Sequence, residues 1–389
     1  MGLLTWIRRH STALTLDVSG VTGILYSWRT SNKYLAVLVS LYYLGTRTLH
    51  LYYNSRNKIE RDQAIVITGC DSGLGYSLAF HCQTLGAVVI AGVLDENGLG
   101  ATSLKENGII VFPLDITDES SIIHFYNFLN TFLYQKDLTL KALVNNAGVM
   151  VFGEFEWQTK NQLRQQLEVN LIGTMNITHK CMPLIRKDLS RIIVISSHCG
   201  YEPLPGVAIY SATKAGINAW ATSIRVELKK YGIDIVIFVP GSFTQESNIL
   251  SEQSNNFDAM KETMSIEAAD FYGDYFNRYA KYFEPLSIKD GPKKIKNLQI
   301  YEQFTGALLD CFPSTIYKCE PWRYFFYYTL FKITPNYLRD RLTEYFVQLP
   351  RWNERKIIGD QIKLRKETFQ GINFNGYKSF KIKIRNLCV

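Results

Sequence analysis

From Gln63 onward the chain alternates short apolar runs with longer stretches of helical spacing. Ala64–Thr68 (AIVIT), Ala87–Leu94 (AVVIAGVL), Val111–Leu114, Lys141–Val144, Arg191–Ser196 (RIIVIS) and Asp234–Val239 (DIVIFV) predict strands. Gly75–Leu85, Glu119–Leu133, Gln162–Met182 and Tyr210–Tyr231 predict the helices between them. Near-continuous apolar strands are those buried on both faces, as in a parallel sheet. Strand–helix alternation of this kind predicts a Rossmann-like, doubly wound α/β domain with helices on both faces of the sheet. It covers residues 61–320.

The flanking segments break the pattern. Within residues 1–60, the run 34–45 (YLAVLVSLYYLG) is followed by Arg47 and His50. A membrane span needs about 20 apolar residues, so 34–53 reaches that length only if both polar residues are tolerated near one end. The segment reads as an uncleaved membrane anchor, an interfacial helix, or an extra helix packed on the domain. Paired tyrosines at 42–43 and 52–53 suit an interfacial belt. Residues 321–350 hold a second apolar stretch, Tyr324–Phe331, too short to span and suited to docking at a membrane interface or closing a dimer face. Residues 351–389 form a polar tail.

Composition adds two exclusions. With 47% hydrophobic and 20% charged residues, the 389-residue chain carries too much apolar material for a disordered or fibrous protein. The net charge of +8 suggests an acidic partner until it is located. Residues 351–389 contain ten Lys/Arg against three acids, so the body is close to neutral. A basic groove for nucleic acid is not expected there; the tail reads as a solvated extension or a contact for anionic lipid headgroups. The seven cysteines are odd in number and show no C-x-x-C or zinc-finger spacing. They read as reduced thiols, with no metal centre expected.

Candidate chemistry starts at the first strand's end. Thr68-Gly69-Cys70-Asp71-Ser72-Gly73-Leu74-Gly75 places glycines at a strand-to-helix turn, where backbone can approach a pyrophosphate stabilised by the helix N-terminus. No Gly-Lys-Ser/Thr follows, so this is not a P-loop. Asp95 ends the second strand, where a carboxylate accepts from ribose hydroxyls and repels a 2′-phosphate. No Lys or Arg lies in 69–75 or 87–100. This favours NAD over NADP, unless Asp95 merely caps a turn with Asn97 and Gly98.

Tyr210 and Lys214 stand four apart at the start of a helix and share a face. A phenol with an ordinary pKa of about 10 is a poor base at neutral pH. A neighbouring ammonium would lower it. Ser197, at the end of the preceding strand, supplies a hydroxyl to hold a substrate oxygen.

Taken together these motifs resemble the short-chain dehydrogenase/reductase family over roughly residues 63–320: T-G-x-x-x-G-x-G at Thr68–Gly75, N-N-A-G at Asn145–Gly148, Asn170, Ser197, Tyr210-x-x-x-Lys214, and Pro240-Gly241-x-x-Thr244. The resemblance implies that Tyr210 is the general acid/base. It makes Lys214 the group that lowers its pKa and bonds the nicotinamide ribose, Ser197 the orienter of the substrate oxygen, and Asn170 the holder of a relay water. It implies a cofactor groove made by Thr68, Gly69, Asp71, Ser72, Gly73, Leu74, Gly75, Asp95, Asp115, Ile116, Asn146, Ala147, Gly148, Pro240, Gly241 and Thr244 with Tyr210 and Lys214. Asp115 would sit beside the adenine and Thr244 at the carboxamide. The glycine loop and Pro240–Thr244 resemble the branch acting on retinol, hydroxysteroids and 3-hydroxybutyrate.

That resemblance implies a membrane-associated NAD enzyme, of the endoplasmic reticulum or alternatively of mitochondria. It would interconvert a lipophilic alcohol and its carbonyl, and homodimers through the two long helices are implied too. A 3-hydroxy-acid dehydrogenase would need a basic residue facing the pocket. A non-catalytic NAD(H)-binding scaffold is the third reading. The aromatics from Phe271 to Phe283 read as a lid, by packing, by contact with a bulky substrate, or both.

Overall fold

The computed structural model describes residues 18–26, 29, 33–53, 55–241, 247–287, 291–319, 327, 329–330, 333–347 and 349–352. Helix α1 (Lys33–Tyr53) precedes the domain. The alternation then runs β1 (Gln63–Ile67), α2 (Gly73–Thr84), β2 (Val88–Val93), α3 (Leu99–Glu106), β3 (Ile110–Pro113), α4 (Glu119–Gln135), β4 (Thr139–Asn145), α5 (Lys160–Leu167), α6 (Thr174–Asp188), β5 (Arg191–Ile195), α7 (Ala208–Lys229) and β6 (Ile235–Val239). Helices α8 (Gln253–Thr263), α9 (Ile266–Phe283) and α10 (Leu298–Leu309) come next, then β7 (Ile316–Lys318) and α11 (Asn336–Val347). The strands form one parallel sheet in the order β3-β2-β1-β4-β5-β6-β7. The expected doubly wound domain is therefore present.

Alternate residues of each strand feed opposite cores. Ile65 and Ile67 pack with Leu78 of α2 and Phe304 of α10. Ala64 and Val66 pack with Phe125 of α4 and Ile177 of α6. A third cluster gathers Trp157 with Phe257, Phe276, Tyr279 and Phe283 of α8 and α9, so the lid aromatics do pack on one another.

Two expectations change. The single helix at Gln162–Met182 is interrupted by a π-helical turn, Glu168–Gly173. It also continues past Pro183 to Asp188. Proline forgoes one helical hydrogen bond, but Leu184 and Ile185 beyond it are buried, and their packing carries the helix on. The sequence pattern predicts neither the short α3 and β7 nor the helices α8, α10 and α11.

Helix α1 forms where the apolar run predicts it, and Tyr34, Val37, Leu38, Leu41, Tyr42 and Leu44 are exposed. Among the described residues no helix is long and apolar enough to cross a membrane. The chain after α1 is fastened to the domain. Arg56 Nε meets Asp310 Oδ1 at 2.5 Å, Asn57 N donates to Leu309 O at 2.8 Å, and Cys311 N donates to Ser55 O at 3.0 Å. Arg191, at the start of β5, donates to Asp310 O at 2.9 Å and Ala307 O at 3.0 Å. Most of Tyr324–Phe331 and the tail from 353 lie outside the described residues.

Candidate active site

A cleft of about 1020 Å³ opens at the carboxyl ends of the strands. Its lining includes Gly69 after β1, Leu94 after β2, Asp115 after β3, Asn146 after β4, Ser197 after β5 and Pro240 after β6. This is where ligands bind in open parallel sheets.

The glycine loop is shaped by close packing. Gly69 has φ +69°, and a Cβ there would lie 2.7 Å from Ala147 Cα. A Cβ on Gly75 would strike Gly69 O and Asn146 Nδ2. The segment after β4 holds the loop through both backbone and side-chain bonds. Asn146 N and Ala147 N both donate to Thr68 Oγ1 at 3.0 Å, and Asn146 Nδ2 donates to Thr68 O and Gly69 O at 2.9 Å. Asp71 accepts from Leu94 N at 2.9 Å and Asp95 N at 3.0 Å, tying the loop to the end of β2. Helix α2 starts here with no side-chain cap from Ser72 and no acid in its first turn. Its N–H groups and dipole are thus left available for an anion, which fits a pyrophosphate.

Of the expected groove residues, Gly69, Asp71, Ser72, Leu74, Asp115, Ile116, Asn146, Ala147, Gly148, Pro240 and Gly241 line the cleft. Thr68, Gly73 and Gly75 lie behind it, shaping the loop from within. Asp115 accepts from Thr117 N at 2.8 Å and Thr117 Oγ1 at 2.7 Å. Asp95 is exposed at the end of β2 and is not in the cleft wall; its Oδ1 accepts from Asn97 N at 3.0 Å. It therefore does close the turn that its sequence context allows. Thr244 lies outside the described residues.

Ser197, Tyr210, Lys214 and Asn170 are brought together. Ser197, Tyr210 and Lys214 line the cleft. Lys214 Nζ stands 5.7 Å from the centre of the Tyr210 ring and donates to Ile195 O at 3.0 Å. Asn170, in the π-helical turn, is buried and clamps Val149. Its Oδ1 accepts from Val149 N and its Nδ2 donates to Val149 O, each at 2.8 Å. The same Nδ2 reaches Thr213 Oγ1 at 3.1 Å, beside Tyr210. A π-turn is a frequent mark of a functional site, and sequence spacing does not reveal one.

The electrostatics correct one expectation. The Tyr210 phenol is pushed up rather than down, first by burial and then by the nearby Cys199, with a hydrogen bond to Ser197 opposing them. The Lys214 ammonium is not among the causes of that shift; it is itself enclosed and lowered to about 8, chiefly by burial. Cys199 also lines the cleft, with its backbone N donating to Ser197 Oγ at 3.2 Å. Sequence reasoning passed over Cys199, since nothing in its spacing marks it. The far wall, Val149–Phe152 with Leu204, Asn255 and Asn256, was likewise missed.

The family model described as short chain dehydrogenase matches residues 63–256. The chain is 34% identical over 264 residues to estradiol 17-beta-dehydrogenase 2 of Rattus norvegicus, spanning 65% of this chain and 68% of that protein. Retinol dehydrogenase 7 of Rattus norvegicus is 31% identical over 284 residues, spanning 72% and 87%. Mitochondrial D-beta-hydroxybutyrate dehydrogenase of the same organism is 30% identical over 233 residues, spanning 58% and 68%. With this cleft, this loop and these relatives, the chain belongs to the short-chain dehydrogenase/reductase family, as an NAD(P)-dependent oxidoreductase of the alcohol dehydrogenase type.

Proposed function

We propose that the protein interconverts a lipophilic alcohol, a hydroxysteroid, sterol or retinoid, and its carbonyl, using NAD. The observation that carries this is the convergence of Ser197, Tyr210 and Lys214 on one cleft whose outer wall is Val149, Met150, Val151, Phe152, Leu204, Tyr327 and Phe346. Lys214 is the only Lys or Arg among the described lining residues, whereas Glu168, Glu202 and Glu252 are present. Apart from Lys214, assigned to the nicotinamide ribose, the described lining offers a substrate carboxylate no Lys or Arg, which disfavours the hydroxy-acid reading.

The dinucleotide, when bound, supplies the hydride acceptor or donor. The glycine loop and α2 would hold its phosphates, and Lys214 its nicotinamide ribose. Ser197 orients the substrate oxygen. Tyr210 exchanges the proton with that oxygen; its raised pKa keeps the phenol protonated, ready to donate to a carbonyl. Alcohol oxidation requires that proton to leave first, and Lys214 and Asn170 form the polar route beside it. The lack of any Lys or Arg in 69–75 or 87–100 to receive a 2′-phosphate supports NAD over NADP. The exposed apolar side chains of α1 support attachment to a membrane surface, of endoplasmic reticulum or mitochondria. Leu167, Ile172 and Val226, exposed on α5, the π-turn and α7, support pairing of two copies.

The test is turnover of steroid, retinoid and hydroxy-acid alcohols with NAD and NADP by the wild type and Tyr210→Phe. Turnover of a lipophilic alcohol that Tyr210→Phe abolishes, with NADH binding retained, is expected. Near-normal activity in that variant sinks the assignment. Tight NADH binding with no turnover across the panel favours the scaffold reading.

A further inference from the structure

Buried glutamines surround the substrate wall, and the chemistry above does not use them. Gln158, Gln162, Gln166 and Gln253 are all buried, Gln166 and Gln253 completely. A buried amide is costly unless its groups are bonded, and these are bonded mainly to the wall's backbone. Val151 N donates to Gln166 Oε1 at 3.3 Å, and Gln166 Nε2 donates to Gln158 Oε1 at 2.9 Å. Gln158 Nε2 donates to Gly153 O at 3.0 Å.

Gln253 comes from a different element, the first residue of α8. Its Oε1 accepts from Phe152 N at 2.9 Å and its Nε2 donates to Phe152 O at 2.7 Å, the two bonds a neighbouring strand would make. Phe152 lines the cleft and stacks on Phe283 of α9, ring centres 4.4 Å apart. Gln162 Nε2 adds a second link from α5, donating to Asn256 O at 2.9 Å.

We propose that Gln253 is a positioning residue for the substrate: by holding both backbone polar groups of Phe152 it locks α8 and α9 to the 150–153 wall and so fixes the shape of the cleft's substrate end. The inference rests on the lipophilic-alcohol reading for the substrate it serves. A bulky apolar ligand is held largely by the shape of its pocket, and a wall that must be ordered on binding costs affinity. Ser197, Tyr210 and Lys214 are held separately, through β5 and α7, so the proton-transfer groups stay in place.

The test is Gln253→Glu. When protonated, the acid reproduces both bonds: its carbonyl accepts from Phe152 N and its O–H donates to Phe152 O. When ionised, it loses the donor and faces Phe152 O with a negative charge. Burial raises the carboxyl's pKa and brings the switch into a usable range. Glu154, Glu252, Asp258, Tyr275 and Tyr279 belong to the same wall and lid, and wild type carries them all. Comparison with wild type at each pH therefore isolates position 253.

Relative to wild type, KM for the alcohol is expected to be near normal at about pH 6 and roughly tenfold higher at about pH 8, with kcat and the NADH Kd little changed. Protection of the 149–156 peptide against hydrogen exchange should fall over the same pH range, a readout that needs no substrate. If wild type turns over no lipophilic alcohol but the peptide loosens on schedule, the substrate reading fails and the clamp stands. Gln253→Met, which keeps the volume and loses both bonds, should raise KM at every pH and covers the case in which the Glu variant folds poorly. Wild-type KM and protection in both variants overturn the proposal, and so does NADH affinity lost in step with KM.

Discussion

Lys214→Met should leave the protein inactive and more stable. Lys214 is buried, and its ammonium is lowered from 10.5 to about 8, chiefly by burial. At 1.36 kcal/mol per decade, keeping that charge in the folded state costs about 3 kcal/mol at pH 7. Methionine removes the charge but forfeits the hydrogen bond to Ile195 O, worth about 1 kcal/mol. The net gain is about 2 kcal/mol.

The gain has a defined pH window. Below about 8 the lysine is charged in both folded and unfolded chains, and the full cost is present. Between about 8 and 10.5 the folded chain has shed the proton while the unfolded chain still binds it, so wild-type stability climbs with pH. By about pH 10 the variant's advantage should have vanished. Urea unfolding of both proteins in the same detergent, at neutral and alkaline pH, reads the difference directly, since other groups cancel. Turnover should drop by about 10²–10⁴. A variant less stable than wild type at pH 7, or a gap that ignores pH, would refute the reasoning.

Three further outcomes follow from the site and its surroundings. Asp95→Ala should narrow the preference for NAD over NADP by about tenfold in dinucleotide titrations, through loss of one exposed negative charge at the end of β2; an unchanged ratio leaves Asp95 as the cap of Asn97 alone. Gly75→Ala should cost about 1–3 kcal/mol and weaken dinucleotide binding, because its Cβ meets the Gly69 carbonyl and Asn146 rather than a flexible side-chain end; thermal unfolding and NADH fluorescence check it. The Tyr279 hydroxyl is buried with no hydrogen-bond partner among the described residues, so Tyr279→Phe should be neutral or stabilising by about 1 kcal/mol, and a loss of stability would reveal a bond to that oxygen.

Much of the fold could be read because burial on both sheet faces leaves unbroken apolar runs such as AIVIT and RIIVIS. Catalytic candidates were legible because Tyr210 and Lys214 share a helix and Ser197 ends a strand, so local geometry places them. What could not be read depends on contacts between distant segments. The π-turn that presents Asn170 is a misfit in helical winding, and glutamine or valine spacing carries no trace of it. Gln253 meets Phe152 across about a hundred positions of sequence. The predicted helix ends at Met182, before Pro183, whereas the burial of Leu184 and Ile185 that offsets the proline's local cost leaves no mark in the sequence. The direction of the Tyr210 shift is illegible for a related reason: an ammonium can be seen from its spacing, while the burial that raises the phenol comes from the whole fold.

The fastening of Arg56 to Asp310 decides how the enzyme can be mounted. Arg191 ties Asp310 to the end of the sheet where strands begin, and Ser197 stands where they finish. A five-residue strand is about 17 Å long, so about that distance separates the Arg191 end of β5, where Asp310 is tied, from the end that carries Ser197. In the sequence only Asn54 and Ser55 separate Tyr53 from the docked Arg56. A bilayer that grips α1 would hold the enzyme by its foot. On the proposed reading, an alcohol dissolved in the same leaflet would have to leave it and be carried across water to reach Ser197, so delivery, rather than concentration in the lipid, would govern the rate at which such an enzyme is fed.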